Sequence, residues 1–214
     1  MPINTNRWNR LRYTLWAPVY DAVGRVFDAQ RRQSLRILDP RPGERILIVG
    51  AGTGADLQHL PPGVRVLATD LTPAMLARAR PRAGAGTYLA VMDGHGLGVR
   101  TASVDAVVLH LILAVIPDPV RCLQEAARVL RPGGRVVVFD KFVRGKPPAV
   151  LRLVNMAMNA LFTDITRNFE DILRRSQAPL ALEHDGPALL GGVFRHLLLR
   201  RDERSADRPF PAAR

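Results

Sequence analysis

The stretch ILIVGAGTGADL, residues 46–57, decides the fold of this chain. A run of branched apolar residues ends abruptly in glycines at three alternate positions, Gly50, Gly52 and Gly54. The apolar run predicts a buried parallel strand. Glycines between such a strand and a helix let a ligand approach the backbone, and the first N–H groups of the helix can then bind an anionic group. The stretch therefore predicts a ligand-binding turn.

Strands and helices alternate through the rest of the chain. Further apolar runs that read as strands lie at 64–70, 87–93, 103–113, 134–140, 180–185 and 191–200. Amphipathic segments that read as helices lie at 72–80, 118–130 and 165–176, and residues 55–60 can begin another. Thr72 and Asp118, each followed by proline, are expected to cap two of the helices. The pattern predicts an α/β fold with a seven-stranded, mostly parallel sheet, helices on both faces and an antiparallel last strand.

Composition indicates one soluble domain but leaves the charge open to two interpretations. The chain has 214 residues, 47% of them hydrophobic, and a single cysteine, Cys122, which excludes an intramolecular disulfide. No signal-peptide core and no apolar run of about 20 residues is seen, so we expect a cytoplasmic protein. The net charge is +12, and 29 of the 31 basic residues are arginines. Either coding bias or an anionic partner, nucleic acid or membrane surface, explains this excess.

The glycine turn alone is compatible with two ligand classes. Read as GAGTGA it satisfies the dinucleotide pattern G-x-G-x-x-G/A, and read as GAGTG it satisfies the G-x-G-x-G of S-adenosylmethionine sites. Asp70, the acid after the second strand, fits both, because its carboxylate would accept hydrogen bonds from ribose hydroxyls. The other interpretation of Asp70 is a helix-capping acid.

Five blocks in order distinguish the two classes. They read RILIVGAGTGADL, VLATDLTPAMLARAR, YLAVMDG, SVDAVVLHLILAVIPDP and LQEAARVLRPGGRVVVFD. Together they resemble the class I S-adenosylmethionine-dependent methyltransferases over about residues 18–200. The resemblance implies a Rossmann-like fold, S-adenosyl-L-methionine as cofactor and S-adenosyl-L-homocysteine as product.

The resemblance also implies a set of cofactor-binding positions, most of them at strand ends. They are Gly50, Ala51, Gly52, Gly54, Asp70, Leu71, Met92, Asp93, Gly94 and His110. In the family the glycine loop wraps the methionine part, and the acid matching Asp70 binds the ribose. The acid matching Asp93 takes the adenine amino group. After Asp93 the chain reads GHGLGVRTAS and departs from the family's usual Ala and Leu-Pro.

A second resemblance concerns the acceptor. The segment LWAPVYDAVGRVFDAQRRQSLRIL, residues 15–38, resembles the N-terminal helix of bacterial phosphatidylethanolamine N-methyltransferases, and quinone C-methyltransferases also carry a Tyr-Asp here. In such enzymes this segment closes over cofactor and substrate, which would put Tyr20 near the methyl group. The implied acceptor is a phospholipid headgroup amine. The alternative is a C- or O-methyltransferase acting on a quinone or another small hydrophobic molecule.

Two residues are candidates for catalysis. An ethanolamine ammonium must lose a proton before it attacks a methyl group, and His110 is the candidate general base because histidine exchanges protons near neutral pH. Tyr20 could orient the amine or stabilise a methylated cation through its ring. The alternatives are a strand-end histidine bonded to the backbone and a tyrosine that only packs. His59, His95, His184 and His196 show no metal-ligand spacing, so no metal is expected.

The first helix also has the composition of a membrane-surface segment. It mixes Arg7, Arg10 and Arg12 with Trp8, Leu11, Leu15 and Trp16, as helices at a bilayer interface do. An apolar segment at 149–162 could contact acyl chains. An ordinary lid helix and an ordinary core helix are the alternatives. We expect peripheral contact with an anionic inner membrane face.

The predicted organisation has three parts. Residues 1–40 are expected to form a cap or lid, and residues 41–200 the methyltransferase domain, with a substrate- or membrane-facing insertion at about 143–163. Residues 201–214 are a polar tail. A nucleic-acid substrate is disfavoured, because the fourth strand ends in HLILAV instead of N/D-P-P-Y/F and no basic run is interleaved with aromatics. A non-catalytic cofactor-binding module is disfavoured by the intact loop and both acids.

Overall fold

A computed structural model of the chain describes residues 4–145, 155 and 163–203, and within residues 17–23 it describes the backbone alone. Most of the predicted 143–163 insertion and the tail from residue 204 therefore lie outside the described residues.

The described helices and strands alternate as the sequence predicts. The helices are α1 (Asn6–Val26), α2 (Asp28–Leu38), α3 (Pro73–Ala79), α4 (Pro119–Val129) and α5 (Phe169–Ser176). The strands are β1 (Arg45–Val49), β2 (Arg65–Asp70), β3 (Thr87–Val91), β4 (Val104–His110), β5 (Leu130–Lys141), β6 (Leu180–Leu189) and β7 (Phe194–Arg201).

The seven strands form one sheet in the order β3-β2-β1-β4-β5-β7-β6. The pairs among β1 to β5 are parallel, whereas β7 runs antiparallel to both β5 and β6. The predicted fold, with its antiparallel last strand, is confirmed. The order reverses between β1 and β4, and this reversal opens a crevice at the carboxyl ends of those strands.

Both faces of the central strands are buried, which explains why β1 reads as an uninterrupted apolar run. Leu47 and Val49 point to one side, into a cluster with Leu123 of α4. Ile46 and Ile48 point to the other side, towards α2. Successive side chains of a strand alternate between faces, so each face needs its own apolar residues.

Several element boundaries differ from the predictions for local reasons. Residues 55–60 form only the short 3-10 turn Leu57–His59. The R-P-G-G sequence at 131–134 lies inside β5, where it shifts the pairing with β4. Helix α5 begins at Phe169, since the Asn168 side chain caps it by accepting the Asp171 N–H at 2.8 Å. The predicted Asp118 cap is confirmed, because its carboxylate accepts the Arg121 N–H at 3.0 Å.

Candidate active site

A cavity lies in the crevice at the carboxyl ends of β1, β2 and β4. Its volume is about 860 Å³, counting space that is open to solvent. The turn after β1 lines one side and the ends of β2, β3 and β4 line the others, while α1 covers it. This is where open α/β sheets bind ligands, because strand ends and helix N-termini converge there.

The glycines after β1 meet two different requirements. Gly50 and Gly54 both adopt a left-handed backbone, with φ of 72° and 80°. Gly50 lines the cavity, and a Cβ there would lie 2.7 Å from Cδ1 of Ile112. Gly54 does not line the cavity, and a Cβ there would lie 3.0 Å from Cβ of Ala79 in α3. At both positions the close neighbour of an added Cβ is another part of the protein, so the clearance predicted for a ligand stays a prediction for Gly50 and Gly52, the two glycines of this turn that line the cavity.

Asp70 is held at the cavity wall by backbone groups. Its carboxylate accepts the N–H of Gly52 at 2.8 Å and the N–H of Thr72 at 2.8 Å. Burial raises the pKa of Asp70, and these two hydrogen bonds only partly offset the effect. Leu71 lines the cavity beside it, as does Ala51 on the glycine turn. A buried carboxylate with a fixed orientation is suited to accept hydrogen bonds from paired hydroxyls.

The third-strand acid has a partner that the sequence did not suggest. Asp93 accepts a hydrogen bond from the side-chain amide of Asn6 in α1, and His95 lies 2.7 Å from its other oxygen. Met92 and Gly94 line the cavity on either side. A Cβ on Gly94 would lie 2.9 Å from Cδ1 of Ile116, so glycine is needed for close packing there.

Helix α1 forms the cover of the cavity through one polar face. Asn6, Asn9 and Tyr13, spaced three and four residues apart, all line the cavity. The amides of Asn4 and Asn9 donate to the carbonyl of Val115, at 2.9 and 3.4 Å. These hydrogen bonds attach the start of α1 to the loop that follows β4.

His110, at the end of β4, belongs to a buried polar chain. Its Nδ1 lies 2.7 Å from Asp56, its Nε2 lies 2.8 Å from the hydroxyl of Ser34, and Asp56 also pairs with Arg31 at 2.8 Å. Only 1% of the His110 side chain is exposed. Asp56 is acceptor-only when ionised, so Nδ1 carries a proton, whereas the Ser34 hydroxyl can donate to Nε2 or accept from it. Both ring nitrogens are thus engaged, although His110 contributes to the cavity wall.

Tyr20 lies in α1, within the stretch whose side chains are outside the described residues. Its position near the methyl group stays a prediction.

Comparison with known proteins assigns the family. A family model described as a methyltransferase domain matches residues 47–138. A phosphatidylethanolamine N-methyltransferase of Cereibacter sphaeroides is 33% identical over 197 residues, which cover 88% of this chain and 95% of that protein. The chain belongs to the S-adenosylmethionine-dependent methyltransferases.

Other methyltransferases match over shorter stretches or by fold alone. A demethylmenaquinone methyltransferase of Beutenbergia cavernae is 39% identical over 144 residues, which cover 58% of this chain and 57% of that protein. A chain of the solved complex between the Haloferax volcanii Trm112 methyltransferase activator and a methyltransferase superposes with a TM-score of 0.71. Its 17% identity over 89% of this chain and 97% of that chain shows a shared fold.

The cofactor of this methyltransferase is S-adenosylmethionine, and the cavity fits it. The turn residues Gly50, Ala51 and Gly52 line the cavity, and Asp70 presents a carboxylate already oriented by Gly52 and Thr72. Asp93 offers a second acceptor at the far wall. When bound, the cofactor supplies an electrophilic methyl group.

Several residues of this methyltransferase site were not predicted, among them Asn6, Asp56 and Arg31. Asn6 bonds Asp93, and Asp56 with Arg31 completes the chain around His110. Asn6 could have been found from the polar stripe that it shares with Asn9 and Tyr13. Asp56 lies two residues after the last glycine, but a buried ion pair with a residue 25 positions away leaves no local signal.

No helix among the described residues is both long and apolar enough to cross a bilayer. Within the same residues no group of three or more His, Cys, Asp or Glu side chains could hold a metal ion.

Proposed function

We propose that this methyltransferase adds methyl groups to the ethanolamine nitrogen of phosphatidylethanolamine at an anionic membrane surface. The alignment with the Cereibacter sphaeroides phosphatidylethanolamine N-methyltransferase extends beyond residues 47–138 on both sides, since it covers 88% of the chain. The acceptor-specific parts of such enzymes lie outside the cofactor-binding core, so similarity there bears on the substrate.

The observation that carries the proposal is the division of α1 into two faces. The polar face with Asn6, Asn9 and Tyr13 covers the cavity. The opposite face exposes Leu11, Leu15 and Trp8, with 53%, 70% and 37% of their surface accessible. An exposed apolar stripe with tryptophan suits a bilayer interface. One helix thus connects a lipid-compatible surface with the cofactor cavity.

A second exposed apolar group lies around the end of α1. Val26, Leu190 and Val193 are 70%, 73% and 48% exposed. Phe27 and Phe194, their neighbours in sequence, pack with ring centroids 5.4 Å apart, so the end of α1 and the start of β7 are adjacent. This surface would extend the membrane-facing region, and the net charge of +12 would favour anionic lipids.

In the proposed reaction the residues of the chain bind, orient and deprotonate. An ethanolamine amine is mostly protonated at neutral pH, so a proton must leave before the nitrogen lone pair can attack. The cover formed by α1 would exclude water and hold the amine close to the methyl group. We retain His110 as the proposed proton acceptor, acting after the Ser34 hydroxyl turns away from Nε2. Tyr20 is the proposed residue that orients the amine.

The second candidate is methylation of a quinone or a similar small acceptor. It is favoured by the 39% identity to the Beutenbergia cavernae demethylmenaquinone methyltransferase. A hydrophobic acceptor would also suit the apolar face of α1, so the two candidates must be separated by their products.

The test uses S-adenosylmethionine with a labelled methyl group. The protein is incubated with anionic vesicles containing phosphatidylethanolamine and, in parallel, with a bacterial lipid extract, and the lipids are then separated. We expect label in mono-, di- or trimethylated ethanolamine headgroups. Label only in a neutral quinone fraction would replace the first candidate by the second. Binding of the cofactor without label in either fraction would contradict both.

A further inference from the structure

One charged residue of α1 is buried, although the sequence suggested an arginine at a membrane surface. Arg12 is only 5% exposed. Its Nη2 donates to the side-chain oxygen of Asn9 at 2.7 Å, and its guanidinium carbon lies 4.9 Å from the centre of the Tyr13 ring. Among the described residues, Nε and Nη1 of Arg12 have no hydrogen-bond partner. Three N–H bonds of a buried cation are thus unused.

Each of the other buried arginines in the described part of the chain has a carboxylate partner or several backbone acceptors, although not every N–H group of theirs is satisfied. Arg31 pairs with Asp56, Arg195 pairs with Asp185 and Glu170, and Arg201 donates to backbone carbonyls at the end of α4. Burying a charge without a counter-charge is costly, so such a group is expected to have a partner or a function. Arg12 has an amide and a ring as neighbours, and neither supplies negative charge.

Arg12 does not itself line the cavity, but it lies directly behind residues that do. Asn9 and Tyr13, its two contacts, both line the cavity. On the same helix Leu11 and Leu15 are exposed, on the face proposed to meet the bilayer. Arg12 therefore lies along α1 between the cofactor cavity and the lipid-compatible face.

We infer that Arg12 binds the phosphodiester of the acceptor phospholipid. This inference rests on the proposed function. Phosphatidylethanolamine carries its phosphodiester two carbons from the amine, and guanidinium N–H groups pair strongly with phosphate oxygens. Holding the phosphate would fix the position of the amine relative to the cavity. It would also select phospholipids over amine-bearing lipids that have no phosphate. It would also supply the missing counter-charge to Arg12.

Binding of the isolated headgroup tests the inference without any turnover. We would titrate glycerophosphoethanolamine into the protein, loaded with S-adenosylhomocysteine, by calorimetry. Arg12→Met should weaken this binding by about tenfold to a hundredfold, the usual contribution of hydrogen bonds to a charged group. The affinity of Arg12→Lys should fall between those of the wild type and Arg12→Met, since lysine keeps the positive charge but lacks the planar set of donors. Arg36→Met is the matched control, because it removes the same charge from an exposed position on α2.

Kinetics on monomeric short-chain lipids would measure a substrate preference. Substitution of a residue with only a structural role would leave this preference unchanged. The wild type should prefer phosphatidylethanolamine over an ethanolamine lipid whose phosphodiester is replaced by an uncharged linker. Arg12→Met should lose this preference through KM, with unchanged affinity for S-adenosylmethionine. Its melting temperature should stay level or rise, because an uncompensated buried charge is removed.

The outcomes separate this inference from the proposed function. The phosphodiester assignment is overturned if Arg12→Met binds glycerophosphoethanolamine as tightly as the wild type does. It is also overturned if the variant loses affinity for the cofactor and not for the headgroup. If the wild type binds the headgroup through Arg12 but methylates no phosphatidylethanolamine, the proposed function fails and the anion site stands. If Arg12→Met does not fold, the Arg12→Lys variant replaces it in both measurements. A headgroup affinity and a lipid preference of Arg12→Lys equal to those of the wild type would then contradict phosphate binding by Arg12.

Discussion

The carboxylate of Asp70 accepts the backbone N–H of Gly52 at 2.8 Å and so joins the end of β2 to the turn that follows β1. The acid and the glycine turn are therefore one unit, in which the same side chain shapes the loop and faces the cavity. The second hydrogen bond, from the N–H of Thr72, fixes the carboxylate at the start of α3.

Replacing Asp70 by alanine should weaken cofactor binding far more than it changes the fold. Loss of two charge-assisted hydrogen bonds to ribose corresponds to about 3–6 kcal/mol, moderated by water that enters the site. Calorimetric titration with S-adenosylhomocysteine would measure the affinity, and circular dichroism would check the fold. An unchanged affinity would exclude Asp70 from ribose binding.

The affinity for cofactor should also depend on pH through Asp70. Burial raises the pKa of Asp70, so its carboxylate becomes protonated at a higher pH than an ordinary aspartate does. Affinity should therefore begin to fall on acidification while exposed aspartates are still ionised. Asp70→Asn cannot ionise and should show a weaker but flat profile over the same range. Parallel profiles for the two proteins would assign the pH dependence to another group.

His110 can be tested by separating proton transfer from positioning. His110→Ala should lower kcat by about a hundredfold or more, the usual contribution of general-base catalysis, with little change in cofactor affinity. Ser34→Ala should keep most activity, because it leaves Nε2 free to accept a proton. Full activity of His110→Ala would return the residue to a structural role. If kcat falls in His110→Ala but the acidic limb of its pH profile persists, His110 is a positioning residue.

The pair of Asp56 and Arg31 should matter for stability. Burial raises the pKa of Asp56, but Arg31 and His110 outweigh this effect and leave the pKa well below its usual range. Asp56 therefore contributes stability above the ordinary aspartate pKa, and this contribution is lost as the pH falls below that value. Asp56→Asn should cost about 3–5 kcal/mol in the free energy of unfolding, since Arg31 is left buried and unpaired.

Urea unfolding at neutral pH would measure this cost. Asp39→Asn is the control, because Asp39 meets Arg41 at the surface with about 70% of each side chain exposed. Such exposed pairs contribute about 1 kcal/mol or less. Equal destabilisation by the two variants would argue against a special role for the buried pair.

The apolar face of α1 should control membrane attachment. The double variant Leu11→Asp, Leu15→Asp should lose most binding to anionic vesicles, since both side chains are exposed and would no longer enter the interface. Its activity on monomeric short-chain lipid should persist, because neither residue lines the cavity. Leu182→Asp, at an exposed site in the edge strand β6, is the control in vesicle sedimentation. Unchanged sedimentation of the double variant would exclude this face from lipid binding.

The sheet could be predicted from the sequence because its signals are local. The apolar runs of β1 and β4 lie within those strands, and the capping residue Asp118 directly precedes α4. Asp70 and Asp93 could be placed in the cavity for the same reason, since Asp70 ends β2 and Asp93 lies two residues after β3.

The contacts around the site could not be predicted in this way. The Arg31–Asp56 pair and the Asn6–Asp93 hydrogen bond join residues 25 and 87 positions apart. Their partners are chosen by how α1 and α2 pack, which propensity and periodicity do not encode. The burial of Arg12 is of the same kind, because an arginine beside Trp8 and Trp16 reads as a surface residue until the helix is docked.

The hydrogen bond from Asn6 to Asp93 has a thermodynamic consequence. Asp93 is a candidate acceptor for the adenine amino group, and Asn6 belongs to the helix whose outer face is exposed. Anything that binds that outer face and shifts α1 must also alter the binding free energy of a ligand that contacts Asp93. Linkage is reciprocal, so the cofactor must change the affinity of that surface by the same factor. Vesicle binding measured with and without S-adenosylhomocysteine would therefore give the coupling energy directly.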